Sequence, residues 1–499
     1  MPHRLASLLF ALGFCLLATA CSAAPTSAKS ESRAPAAARL WPVRDIRSDF
    51  DDLYTQLQAS HYDLFARRAR SEYDAEFKRM RSSIDQPLAL AEISKFYQRF
   101  VAYGNVAHAR IDPPAEAWEA FRQAGGKAFP LYVRVVGGKA YLGDDYSGVP
   151  GLRQGQELVA VDGVPAMRWL ARMRAHVSGD NDYMGYTQLE TQLPLLVWEE
   201  LGEVQQFQVQ VRTAQGKLME LTLPARDRAG FDAAQAKWPA RFELDWNKRQ
   251  ATMLEGGLAY LRPGPFYDNR PEAAHPWDPA SFQAFLDASF ADFLQHDAKA
   301  LLIDLRDNPG GDNSFSDPMI AWFADKPFRF SEAFDIKVSA AAIESNRKRL
   351  QDTAGDQDST SARLAAAYAG KPLGSRVSFP IPLVSPRPGL RFTAPVYLLV
   401  NRHSYSNTVL VAAIAQDYGF GKVLGEETAD LASTYGALEK FTLPKTGIEV
   451  SFPKARILRP SGDPQARGVI PDIAIFTPLT AGRDDVVLEK AKQIILARR

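Results

Sequence analysis

The sequence predicts an α/β domain built on a mostly parallel sheet, preceded by a β-rich module and a helical amino-terminal domain. Three observations predict it. From residue 250 onward, apolar strands alternate with amphipathic helices, the pattern of βαβ units. Between 128 and 226, short strands alternate with turns. Between 43 and 125, apolar residues recur at three-and-four spacing. A chain of 499 residues has room for all three, since single domains run to roughly 100–150 residues.

Before these units stands a different segment. "MPHRLASLLFALGFCLLATAC" has a short basic start, an apolar stretch and small residues before Cys21, which predicts an export signal over 1–20. The ending "LLATAC" resembles a bacterial lipobox, with Ala18 where leucine is commonest, and implies Cys21 as the lipidated first residue of the mature chain. Cysteine usage agrees: the other cysteine, Cys15, lies inside the apolar stretch, so the mature chain has no possible internal disulfide. With Ser22 next, the resemblance to lipoprotein sorting implies the periplasmic face of the outer membrane of a double-membrane bacterium. No later apolar run approaches the roughly 20 residues needed to span a bilayer, so the anchor is the expected membrane contact. Residues 21–42, rich in Ala, Ser and Pro, read as a flexible tether.

The helical domain is expected over 43–127. "IRSDFDDLYTQLQASHYDLF" places Ile46, Phe50, Leu53, Tyr54 and Leu57 on one face, and "LALAEISKFYQRFVAYG" repeats the pattern and stops at Gly104. In the module expected over 128–228, "FPLYVRVVGGKAYLG" and "VQQFQVQVRTAQGKLMELTLP" read as hairpins. Between them, "GLRQGQELVAVDGVPAMRWLARM" runs from a glycine-bounded turn through a strand and an Asp-Gly turn into a helix. This stretch resembles part of a PDZ domain, which implies a PDZ-like module that takes up an extended peptide as an added strand.

In the domain over 229–499, "GGLAYLRPGPF", "AKALLIDLRDNPGG", "PVYLLVN" and "KVLGEET" read as strands. "PASFQAFLDASFADFLQHD", "NSFSDPMIAWFAD" and "SNTVLVAAIAQDYG" read as helices. Residues 327–393 interrupt the alternation with helical, charged material, expected to form a lid or substrate channel.

Composition and motifs remove several functions. A net charge of +1 without long runs of one sign gives no nucleic-acid surface. There is no G-x-S-x-G, H-E-x-x-H, C-x-x-C or Walker-type loop, and the 7 histidines include no pair at ligand spacing, so neither metal nor cofactor is expected. "GFGKVLG" leads into a strand, the wrong order for a dinucleotide cradle.

What remains is geometric. In an open parallel sheet, ligands gather at the carboxyl ends of strands, and two buried strands end in "RDNPGG" (306–311) and "NRHSYS" (401–406). Gly310 and Gly311 suit an oxyanion hole of backbone N–H donors. Ser406 stands at a helix start, where free N–H groups favour negative charge, and Asn407 would add its own amide. A hydroxyl still needs a base within reach.

"ALLIDLRDNPGG", "VYLLVNRHSYSNTVLVAAIAQDYGFGKVLGEETAD" and "RPSGDPQARGVIPDI" resemble, in order and spacing, the three signature stretches of the tail-specific (C-terminal-processing) serine peptidases, a family that includes the tricorn core protease. The resemblance implies a ClpP/crotonase-like catalytic domain, with Ser406 as nucleophile. Asp417 follows eleven positions later, close to three helical turns, on the same helix face. Ser404 is left as a capping or packing residue.

The base is set by a departure. Where one branch of the family carries a lysine, this chain reads "GEETADLAST", with Leu431 and its neighbours offering no proton acceptor. The histidine-using, tricorn-like branch takes its base from the amino-terminal region, and "YGNVAHARI" offers His108. His403 is the rival. For a supporting acid, Asp463 and Glu427 are candidates, since no glutamate stands at the place the family's pattern gives. The expected function is a metal-independent serine endopeptidase that cleaves peptides or unfolded chains through an acyl-enzyme. Two alternatives stay open: a peptide or apolar-ligand binder of the same fold without catalysis, and a serine esterase or amidase.

Overall fold

The structure, a computed structural model, describes residues 39–273, 275–352 and 359–498. The expected signal, Cys21 and residues 22–38 of the tether lie outside these residues. The last residues of the expected tether already belong to the body: Leu40–Trp41 (β1) pairs antiparallel with Leu88–Ala89 (β2).

Four helices follow the expected periodicity: α1 (Val43–Ser60), α2 (Arg70–Ser82), α3 (Leu90–Ala102) and α4 (Ala115–Gln123). The apolar face of α1 is buried through Ile46, Phe50, Leu53, Tyr54 and Leu57. Phe50 anchors an aromatic cluster, stacked on Phe77 at 5.2 Å and edge-on to Phe100 at 4.8 Å. Glu72 and Glu92 each accept the backbone N–H three residues earlier, fixing where α2 and α3 begin.

The next unit is an antiparallel sheet of β3 (Leu131–Val136), β4 (Lys139–Asp145), β5 (Glu157–Val161), β7 (Gln206–Arg212) and β8 (Leu218–Pro224), with β6 (Val164–Pro165) paired to β5. Two of its turns follow from sequence. Gly137 and Gly138 close β3 onto β4 with φ of 57° and 74°, and Asp162 and Gly163 close β5 onto β6 with φ of 48° and 74°. Helices α5 (Ala166–Arg174) and α6 (Asp182–Leu201) pack against this sheet, with Trp169, Leu170, Leu189 and Leu193 in the core. Helix α7 (Arg228–Gln235) follows it.

The third unit is the expected α/β layer. Its six-stranded sheet has the order β18-β15-β14-β11-β10-β9, with β9 (Gln250–Leu254), β10 (Leu258–Arg262), β11 (Ala300–Asp304), β14 (Val396–Val400), β15 (Lys422–Gly425) and β18 (Ile473–Ala474). All neighbours are parallel except the edge strand β9. Helices α8 (Ala280–Gln295), α9 (Asn313–Ala321) and α12 (Asn407–Tyr418) bury one face through Phe282, Phe290, Phe315 and Val409. Helix α13 (Val486–Ala497) covers the other, with Val487, Ala491 and Ile495 against Leu302, Leu399 and Leu424. Both faces are covered, which is why these strands read as continuous apolar runs.

The insertion does not stand apart as helical material. Besides α10 (Ala340–Asp352) and α11 (Thr360–Tyr368) it supplies β12 (Ala333–Lys337) and β13 (Arg376–Ser378). These join a hairpin, β16 (Thr434–Thr442) and β17 (Glu449–Leu458), in a sheet of order β13-β12-β17-β16. The alternating burial of Phe334 and Ile336 in β12 is the reason: they pack with Ala455 and Ile457 of β17. The hairpin also serves the amino-terminal helices, since Leu443, Ile448, Val450 and Phe452 share a core with Ile46, Phe50 and Val101. At its tip, Asp49 accepts the N–H groups of Lys445 (2.9 Å) and Thr446 (2.7 Å). No helix among the described residues is long and apolar enough to cross a membrane.

Candidate active site

Strands β11 and β14 are parallel neighbours, with Ile303 opposite Leu398 and Asp304 opposite Leu399. The loops 306–311 and 401–406 therefore leave the sheet side by side, and polar groups tie them together. Asn401 accepts the Asp307 N–H at 3.1 Å and donates to the Asp307 carboxylate at 2.7 Å. The Tyr405 N–H donates to Asn308 O at 3.0 Å. Ser404, fully buried, donates its hydroxyl to Leu305 O at 2.9 Å and so braces the two loops.

Ser406 sits on the sharp turn between strand and helix, with φ 54° and ψ −124°. A serine in such backbone costs about 1–3 kcal/mol, persists only where its surroundings impose it, and in hydrolases lifts a nucleophile clear of the chain. Its surroundings are tight. A Cβ on Gly310 would lie 2.8 Å from Ser406 Cβ and 2.9 Å from Asn407 N, and one on Gly311 would lie 2.1 Å from Phe266 O. Gly310, at φ 90°, thus brings bare backbone against the serine, and Gly311, at φ 141°, brings it against Phe266.

The three expected oxyanion donors are not equivalent. The Gly310 N–H is taken by Asn308 Oδ1 at 3.0 Å. Among the described residues, the N–H groups of Gly311 and Asn407 have no acceptor. The Asn407 side chain donates to Ser316 Oγ at 2.9 Å, which fixes the start of α12.

His108 lies in the loop after α3, which is paired to β17 through Arg110 and Ser451 (N–H to O, 3.0 Å and 2.9 Å). Its ring lies against that of Tyr405, the residue before Ser406, with centroids 5.9 Å apart. Ala107 shares a small apolar cluster with Tyr183, Met184, Tyr405 and Ala429. The His108 loop and the Ser406 loop thus meet, although nearly 300 residues separate them in the chain. Burial, reinforced by the Arg110 charge, pushes the His108 imidazole down to about 4, against a hydrogen bond to the Tyr435 backbone. The ring is neutral at pH 7, and Nδ1 has no hydrogen-bond partner among the described residues.

The other expected residues point elsewhere. His403 Nε2 lies 3.5 Å from Glu190 on α6, and Glu190 also accepts from Arg402 Nη1 and the Val135 N–H, both at 2.8 Å. Asp463 lies at the surface with Arg467, 3.2 Å away. The backbone oxygen of Glu427 accepts the Tyr183 hydroxyl at 2.9 Å. Asp417 stands roughly 16 Å down the helix from Ser406 and pairs with Arg459 at 2.7 Å.

One acid was not anticipated. The expectation that no neighbour of Leu431 can take a proton is corrected by Asp430, 1% exposed, whose Oδ2 accepts the Ser406 N–H at 2.6 Å. Burial pushes this carboxyl up to about 7, against the N–H groups of Ser406 and Leu431, with the Asp180 charge adding to the rise. The signal in the sequence was an acid set between apolar residues in "TADLA", where a solvated aspartate has no reason to be.

Residues 279–475 match the model of Peptidase family S41. No curated protein sequence matches the chain. Solved structures similar to it include a mutant of CPAF (14% identical, covering 91% of this chain and 96% of that one, TM-score 0.58). Mature CPAF (14%, 91% and 96%, TM-score 0.57) and mature CPAF complexed with lactacystin (15%, 91% and 97%, TM-score 0.56) are also similar. At such identities the likeness is one of fold, and it covers 91% of this chain. The chain therefore has the S41 peptidase fold, with mixed α/β sheets, and carries over residues 279–475 the match to Peptidase family S41.

Proposed function

We propose that the protein is a serine endopeptidase that cleaves peptides or unfolded protein chains through an acyl-enzyme, nearer the histidine-using branch of its family than the lysine-using one. The observation that carries this reading is the Ser406 turn: a strained serine at a strand end, beneath two unsatisfied N–H groups and beside the loop that carries a neutral, buried histidine.

In this reading Ser406 Oγ attacks the scissile carbonyl while His108, through its unpartnered Nδ1, takes the proton and later returns it to the leaving amine. The amides of Gly311 and Asn407 receive the oxyanion, and Gly310 keeps the approach open. The β-rich module presents or gates an extended chain as a PDZ-like unit. An export signal over 1–20 and a lipidated Cys21 would hold the enzyme at the outer membrane, facing the periplasm.

The test is labelling with a fluorophosphonate probe together with hydrolysis of unfolded casein. Labelling at Ser406, absent from Ser406→Ala and His108→Ala, is the expected result. Turnover of short-chain esters with casein untouched would replace the peptidase reading with an esterase.

A further inference from the structure

We propose that Asp430 is a positioning residue for the Ser406 turn, and that Asp180 holds the facing His108 loop in the same manner, so that two buried carboxylates set one half of the site against the other. The inference deepens the proposed function and rests on its assignment of Ser406 and His108.

The two acids are used alike. Asp430 Oδ2 accepts the Ser406 N–H at 2.6 Å, and its Oδ1 accepts the Leu431 N–H at 2.8 Å. Asp180 Oδ2 accepts the N–H of Ala107, next to His108, at 3.1 Å. Each carboxylate therefore grips the main chain at or beside one of the two reacting side chains. Asp180 has a cation, Arg67, at 3.3 Å, whereas Asp430 forms no ion pair among the described residues. A buried acid without a cation is costly unless backbone donors satisfy it, and one of its two donors here is the nucleophile's own amide. Asp430 is further fixed by its own backbone, whose oxygen accepts the Thr428 hydroxyl at 2.9 Å.

The groups that face this pair are few. Tyr405 lies between the loops and feels Asp430, Asp180, Arg110 and Asp112. His108 feels Arg110, and Asp180 feels Arg67. The two acids also repel each other, and both are raised from the ordinary carboxylate range, burial being the main cause. Only the ionised form of Asp430 accepts the Ser406 N–H at full strength, so the turn is held most firmly once Asp430 has lost its proton.

The experiment compares wild type with Asp430→Asn, Asp430→Ala and Asp180→Asn in the full chain, by fluorophosphonate acylation between pH 5 and 9 and by hydrogen exchange of the peptide containing Ser406. Wild-type acylation is expected to rise with pH through the neutral range. Asp430→Asn, which keeps an oxygen acceptor, should lose that rise, and Asp430→Ala should acylate about 100-fold more slowly, with the loss in the maximal acylation rate rather than in the probe concentration that half-saturates it. Exchange at the Ser406 amide should quicken in Asp430→Ala, and exchange at the Ala107 amide in Asp180→Asn. An unchanged pH profile in Asp430→Asn, or unchanged Ser406 exchange in Asp430→Ala, overturns the proposal. Exchange is read whether or not Ser406 reacts, so a wild type that never labels defeats the peptidase reading while leaving the role of Asp430 decided by its amide.

Discussion

Gly310 and Ser406 touch so closely that no side chain fits between them: a Cβ on the glycine would lie 2.8 Å from Ser406 Cβ and 2.7 Å from Tyr405 O. Two neighbouring strand ends thus meet at one residue without a side chain. Gly310→Ala also places a Cβ at φ 90°, where L residues are strained. The variant is expected to lose about 100-fold or more in acylation of Ser406, as when an oxyanion donor is displaced, with its thermal midpoint measured alongside.

The strain at Ser406 gives a stability prediction of opposite sign to its effect on activity. With φ 54° and ψ −124°, this position is one that glycine enters freely and other residues do not. Ser406→Gly should be more stable than Ser406→Ala to urea by about 1 kcal/mol, while both lack the Ser406 hydroxyl. Equal stabilities would remove the argument that strain is held at this turn.

His108 should leave its mark on stability in acid. Its imidazole is lowered to about 4 in the folded chain, against an ordinary value near 6.5 when unfolded. Between these values the unfolded chain binds more protons, so stability rises with pH through the window and is lost as pH falls through it. One such group contributes a slope of up to about 1.4 kcal/mol per pH unit. Urea titrations of His108→Gln at pH 4.5, 5.5 and 6.5 should give a shallower slope than wild type. His61, also buried and lowered to about 3, and His176, lowered by burial, keep a slope of the same sign in the variant.

Asp304, at the end of β11, is buried between Arg262 (2.5 Å) and Arg306 (2.7 Å), and Arg306 reaches on to Asp485 (2.6 Å). Burial alone would raise its carboxyl, but Arg306 and Arg262 outweigh it and hold it well below the usual range. Its contribution is present above the unfolded carboxylate value of about 3.9 and is lost as pH falls below it. Asp304→Ala leaves two arginines facing each other and should cost about 3–5 kcal/mol in urea unfolding.

The parts of the fold legible in the sequence are those whose burial follows a local period. Strands β10, β11, β14 and β15 are apolar runs with punctuated ends, and the helices between them repeat every three or four residues. The β16–β17 hairpin was not legible, because charge hides its alternation. Glu439 and Lys454 look like solvent-facing residues, yet both are buried and paired with each other, and Glu439 also pairs with Arg349 of α10. The same division runs through the site. Ser406 and the two glycines announce themselves at strand ends. Asp430 shows only as an acid set between apolar residues, because its 2.6 Å contact with the Ser406 N–H is one that no spacing encodes.

The hairpin that carries β17 changes what the amino-terminal helices are for. It is stitched to the His108 loop at Arg110 and Ser451, buttressed by α1 through Asp49, and paired on its other side with the insertion strand β12. A chain cut free of everything up to Arg110 would thus lose the His108 loop, and one still emerging from the ribosome could not bring that loop against Ser406. The meeting of the two loops is contingent on the whole chain having folded, so the activity proposed for them could begin only once synthesis is finished.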